Sequence, residues 1–160
     1  MSNSGADERG QRPDRLADFL PYQLSVTSNA VSSLIAQRYR ARFGLKIPEW
    51  RIMAILGDAG TATQRELTDA TLMDKVAVNR ACKVLEERGL VGRIPNAQDG
   101  RSHLLELTPE GRNVHAEIMP MAQGSEREIF STLTDEEREQ FREMLRRLLT
   151  QTGKIGGGPD

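Results

Sequence analysis

The chain has 160 residues, 38% of them hydrophobic and 28% charged, enough to bury the core of one domain with helical extensions. Aromatic residues make up only 4%, which argues against a single-strand binder built on base-stacking platforms, and a net charge of -1 excludes a polybasic chain. One cysteine, Cys82, allows no intrachain disulfide, and no apolar run approaches the ~20 residues of a spanning helix, so a cytoplasmic protein away from the membrane is expected.

Residues 1–13 are polar and carry Gly and Pro, the composition of a disordered tail. From about Pro21 to Phe43, Leu24, Val31, Leu34, Ile35 and Tyr39 recur at helical spacing until Gly44. Pro48 suits a first helical position, and Trp50 to Leu56 predict a short apolar helix ended by Gly57 and Gly60. Thr63-Gln64-Arg65-Glu66 is a capping box opening a short helix with Leu67 and Ala70. Asp74 can cap the next helix, which runs to about Arg88 and stops at Gly89. Val91–Ile94 and His103–Leu107 are β-prone and flank the polar loop from Pro95 to Ser102, which predicts a hairpin with a long tip. Thr108-Pro109 opens a helix carrying Val114, Ile118, Met121, Ile129 and Phe130, with a kink expected at Pro120. Thr134 to Glu137 is a second capping box, and Phe141, Met144, Leu145, Leu148 and Leu149 form one stripe of the last helix. Residues 153–160 read as a flexible tail.

The order is that of a mainly α protein with a small β-hairpin wing. A winged helix-turn-helix occupies 47–108, with an N-terminal dimerisation helix in 14–46 and C-terminal dimerisation helices in 109–152. The stripe of the last helix is too apolar to sit in water, which predicts a two-fold homodimer sealed by the first and last helices. Within the helix from Asp74 to Arg88, Val78, Ala81, Cys82 and Leu85 share a face at 100° per residue. Val76, Arg80, Lys83 and Glu87 share the opposite face, with Asn79 on its flank. Arg80 there can read a guanine, Asn79 an adenine and Val76 a thymine methyl, while Lys83 meets a phosphate. From Lys75 to Arg101 six cations stand against three anions, a local +3 that includes Arg93 and Arg101 of the hairpin. Charged outer faces of amphipathic helices are common, and the hairpin that follows is what raises the DNA-binding reading above that ordinary one.

The residues Glu66-Leu67, Met73-Asp74-Lys75, Asn79-Arg80 and Leu85 to Val91, followed by Asp99-Gly100-Arg101 and Leu107 to Gly111, resemble the multiple-antibiotic-resistance regulators, the MarR family. The resemblance spans roughly residues 20–150. It implies an obligate homodimer on double-stranded operator DNA, with Arg101 of the wing at the minor groove and Asp99 orienting a wing arginine. It also implies effector pockets between the dimer helices and the DNA-binding lobe. Asp99-Gly100 is equally ordinary turn chemistry, and the two readings are compatible. One departure is Val76-Ala77, where the groove helix of the family often begins with Ser-Thr, so operator preference does not carry over. DNA contacts are thus expected from Lys75, Val76, Asn79, Arg80, Lys83, Arg93, Asp99 and Arg101.

An effector slot is expected from Tyr22, Ser25 and Asn29 of the first helix, Trp50 and Met53 of the second, and His115 and Met119 of the fifth, with plain packing an even alternative for Trp50, Met53 and His115. The stretch FLPYQLSVTSNAVSSLIA is similar to MarR-type regulators of aromatic-acid catabolism, which implies a phenolic or cinnamic acid, or its CoA thioester, as effector. Arg38, Arg40 and Arg42 can hold an anionic end, although a solvated basic cluster is the plainer reading. Cys82 lies on the apolar stripe, where a structural role outweighs redox sensing. His103, His115 and Cys82 have no metal-ligand spacing, no catalytic constellation is present, and neither cofactor nor enzyme activity is expected. The reading is a ligand-responsive repressor. The alternatives are a dimerisation adaptor that keeps the scaffold without reading DNA, or a redox-responsive repressor.

Overall fold

The computed structural model describes residues 15–157, so the expected tail 1–13 and residues 158–160 lie outside it. In chain order come α1 (Leu20–Phe43), α2 (Ile47–Ala59), β1 (Thr61–Thr63), α3 (Gln64–Thr71), α4 (Lys75–Glu87), β2 (Val91–Pro95), β3 (His103–Leu107), α5 (Pro109–Ile129) and α6 (Asp135–Gly156). The strands form one antiparallel sheet in the order β1-β3-β2. The chain divides into two compact units, with the boundary inside α5 between His115 and Ala116. Among the described residues no helix is long and apolar enough to cross a membrane.

Most helix starts are set by local chemistry. Thr63 Oγ1 accepts the Glu66 amide at 3.1 Å, and Glu66 Oε2 accepts the Thr63 amide at 2.7 Å, closing the capping box of α3. The same exchange between Thr134 and Glu137 opens α6. Asp74 Oδ1 accepts from the amides of Val76 at 2.8 Å and Ala77 at 3.2 Å, so two orphan donors of α4 are satisfied by one carboxylate. Ahead of α5, the Thr108 hydroxyl donates to the Gly89 carbonyl at 2.6 Å and accepts from the Gly111 amide at 3.0 Å. Gly111 packs directly on the Leu90 carbonyl, where a Cβ has no room. The Thr-Pro-Glu-Gly run is therefore a clasp between the end of α4 and the start of α5.

The first unit has a core of fully buried side chains from each layer: Tyr39 on α1, Ile52, Met53 and Leu56 on α2, Leu67 on α3, Val78, Cys82 and Leu85 on α4, and Leu105 on β3. Truncating such a residue to alanine costs about 2–5 kcal/mol. The second unit carries a Phe130–Phe141 ring pair at 6.2 Å and the buried Ser125, whose hydroxyl returns to the Met121 carbonyl at 3.0 Å. On α6 the residues Met144, Leu145, Leu148, Leu149 and Ile155 are exposed.

Three expectations are corrected. Helix α2 does not stop at Gly57; it begins at Ile47 and runs through to Ala59. Its start is held by Glu49 Oε2, which accepts the Lys46 amide at 2.8 Å. The expected tail from Gly153 is helical as far as Gly156, since each further residue of an established helix adds a hydrogen bond for little ordering cost. The hairpin also gains a third strand: Thr61–Thr63 pairs with Leu104–Glu106, in a segment too short for any alternation to show. Pro120 stands inside α5, which runs unbroken from Pro109 to Ile129.

Candidate nucleic-acid interface

Helix α4 divides by face as its sequence predicts. Val78, Ala81, Cys82 and Leu85 are buried, while Lys75, Val76, Asn79, Arg80, Lys83 and Glu87 are exposed. Val76 is 61% exposed in the first turn. Lys83 lies 4.0 Å from Glu87, an exposed i,i+4 pair of little energetic weight. The turn between α3 and α4 is sharp enough to put Leu72 in the left-handed region, at φ 52 and ψ 24.

The wing tip is held by its own polar groups. Asn96 Nδ2 donates to Ser102 Oγ at 2.9 Å, the Gln98 amide to Asn96 Oδ1 at 3.1 Å, and the Ser102 amide to the Asp99 carbonyl at 3.2 Å. Asp99 Oδ1 accepts from the backbone amide of Arg101 at 3.0 Å. This is the turn chemistry expected of Asp99-Gly100, and the Arg101 side chain is exposed. Arg93 is placed differently. Its guanidinium is bound to Glu86 of α4, with Nε donating to Oε2 at 2.9 Å and Nη2 lying 2.9 Å from Oε1. The carboxylate pushes the Arg93 pKa still higher.

Two further arginine and cysteine positions bear on the interface. Arg88, at the end of α4, donates to the carbonyls of Phe43 at 2.6 Å and Gly44 at 3.3 Å, so a cation sits on the negative end of α1. Cys82 is fully buried, and burial first, with Glu86 adding to it, pushes its thiol up to about 11. A thiol so protonated is a poor nucleophile, which favours the structural role.

Of the effector candidates, Trp50 and His115 meet, with ring centroids 5.6 Å apart, and Tyr39 continues the row at 5.7 Å from Trp50. The imidazole lies against the Gly57 backbone, and burial lowers its pKa. Met53, three residues after Trp50 on α2, is fully buried. Tyr22, Ser25 and Asn29 are exposed on α1, about 15–25 Å along the helix from Tyr39. Met119 belongs to the second unit. The sequence put Tyr39 at helical spacing on the first helix without its ring contact, offered Gly57 only as a helix stop, and suggested no role for Glu86 or Arg88.

A model of the MarR family matches residues 43–102, from the end of α1 to the wing tip. An uncharacterized HTH-type transcriptional regulator, YwoH of Bacillus subtilis, is 31% identical over 126 residues, covering 77% of this chain and 91% of its own. The chain belongs to the MarR family. MarR-family proteins are transcriptional regulators, and this chain is one of them and not an enzyme. Two solved structures share its fold at 22% identity. One is a mutant of E. coli MarR complexed with operator DNA, with a TM-score of 0.73 over 85% of this chain and 99% of that one. The other is NadR in complex with 4-hydroxyphenylacetate, with a TM-score of 0.74 over 86% of this chain and 95% of that one.

Proposed function

We propose that this MarR-family regulator is a cytoplasmic homodimeric repressor that binds a pseudo-palindromic operator and is released by a small aromatic carboxylate or its CoA thioester. The observation that carries the DNA-binding half is the outer face of α4, with Val76 standing exposed among Lys75, Asn79, Arg80 and Lys83. An apolar side chain there is unfavourable in water and favourable against a thymine methyl, while Arg80 and Asn79 have the geometry for bidentate contacts to guanine and adenine. Lys75 and Lys83 serve phosphates, and Arg101 reaches the minor groove from the backbone that Asp99 fixes.

The dimer is supported by exposed apolar side chains on both candidate helices, Leu20, Leu24 and Leu34 on α1 and Met144, Leu148 and Leu149 on α6. A two-fold dimer sets its groove helices about 34 Å apart, one DNA turn. Sedimentation at micromolar concentration checks it: wild type should run as a dimer and Leu148→Glu as a monomer.

The effector half is supported by the aromatic row at Trp50 and His115, which suits a planar ring, and by the phenolic acid bound to NadR. Met53, Tyr22, Ser25, Asn29 and Met119 are the remaining candidates for contacts. The test is binding to the chain's own upstream DNA at several salt concentrations, with and without phenolic acids, cinnamic acids and their CoA esters. Salt-dependent binding weakened about 5–150-fold by one such acid is the expected result. No sequence-specific binding at any salt leaves the adaptor reading. Release by an oxidant and by none of the acids leaves the redox reading, against which the buried, protonated Cys82 stands.

A further inference from the structure

Strand β2 alternates, and Val91, Arg93 and Pro95 share one of its faces. Val91 is buried, and the cross-strand partner of Arg93 is Leu105, which is fully buried. Arg93 therefore continues the core-facing side of the sheet, the side that packs on α4. There it meets Glu86 through one hydrogen bond, Nε to Oε2 at 2.9 Å, and one ion-pair contact, Nη2 to Oε1 at 2.9 Å, with 42% of its own side chain and 28% of the Glu86 side chain exposed. The pair spans seven residues and closes the turn at Gly89 from outside, tying the last turns of the groove helix to the first strand of the wing.

We propose that Arg93 is a positioning residue and not a DNA contact: with Glu86 it latches the wing to α4 and sets the angle between the groove helix and the tip that carries Arg101. The inference rests on the DNA-binding reading of α4 and the wing. It gives an anion a required place in a surface that otherwise gains from cations, and this fixes the sign of its test.

If Glu86 is merely a negative charge near DNA, Glu86→Ala should tighten operator binding. If Arg93 meets a phosphate, Arg93→Ala should reduce the slope of log K against log salt by about 0.9. The latch demands the reverse in both respects: each variant weakens binding by about tenfold, and the Arg93→Ala slope stays that of wild type. Exchanging the charges, with Glu86→Arg and Arg93→Glu together, should recover most of the affinity lost by either reversal alone. A second readout needs no DNA. Cys82, the only cysteine, is fully buried on α4 one turn before Glu86, so loosening the latch uncovers it. Its labelling by a thiol reagent should be faster in each single variant and return towards wild type in the charge-exchanged protein. Tighter binding by Glu86→Ala, a lowered salt slope in Arg93→Ala, or labelling indifferent to all three changes overturns the latch. Labelling that rises and recovers while wild type itself fails to bind any operator supports the latch and overturns the DNA-binding reading instead.

Discussion

The imidazole of His115 lies between the indole of Trp50, 5.6 Å away centroid to centroid, and the backbone of Gly57, and it fills the space that a side chain at 57 would need. A glycine inside a helix ordinarily costs about 1 kcal/mol relative to alanine. Here the substitution Gly57→Ala should instead destabilise the fold by about 1–3 kcal/mol, because the ring must leave its place. In a His115→Ala background the same substitution should turn stabilising. Urea unfolding followed by Trp50 fluorescence, the only tryptophan signal, measures both.

Burial also makes the His115 contribution pH-dependent. Its pKa is lowered from the ordinary 6.5 by desolvation, so the folded chain prefers the neutral ring. Above 6.5 both folded and unfolded states are neutral at this position and its contribution is fully present. As pH falls below that value the unfolded chain binds the proton first, and stability declines until the folded ring protonates too. Between about pH 7 and about pH 5, wild type should lose more melting temperature than His115→Gln, which has no proton to take up. Equal losses would show that the ring is not desolvated.

On the groove helix, Arg80→Ala should cost about 1–3 kcal/mol of operator affinity and relax preference at one base pair. Val76→Ser should lower the preference for a thymine without altering the salt dependence, since no charge is removed. Arg101→Ala should weaken binding through the wing. Quantitative binding to an operator series with single-base changes separates these three effects.

Leu72 holds left-handed backbone at φ 52 with 74% of its surface in water, so its side chain offers little compensation for the strain. Leu72→Asn keeps a residue that tolerates this conformation and should stabilise the chain by about 0.5–1 kcal/mol. Thermal unfolding checks it; a loss of stability would mean that the leucine packs in the assembled protein.

Patterns local to one helix were readable. The buried and exposed faces of α4, the caps at Thr63, Asp74 and Thr134, and the strands of the wing follow from spacing and hydrogen-bonding chemistry within a few residues. What escaped depends on partners distant in the chain. Gly57 reads as a helix end until His115 is beside it, and Arg93 reads as one more cation for DNA until Glu86 is seen to hold it. The signal for Arg93 was present all the same, because it shares the parity of Val91. The effector candidates were the least legible, since spacing says nothing of which α1 residue faces Trp50; the ring that does is Tyr39.

The bonds from Arg88 to the last carbonyls of α1 make a pivot between two rods. The longer rod, 24 residues of α1, is about 36 Å from end to end. Its far end can therefore travel about 2 Å for only about 3° of rotation at the pivot. A displacement of the Leu20 end would, on this geometry, reach α4 geared down, as a slight turn with little translation. In the proposed dimer, two reading heads mounted this way would change their relative tilt before their separation, so an operator would be lost by misalignment of the heads while their spacing still matched one turn of DNA.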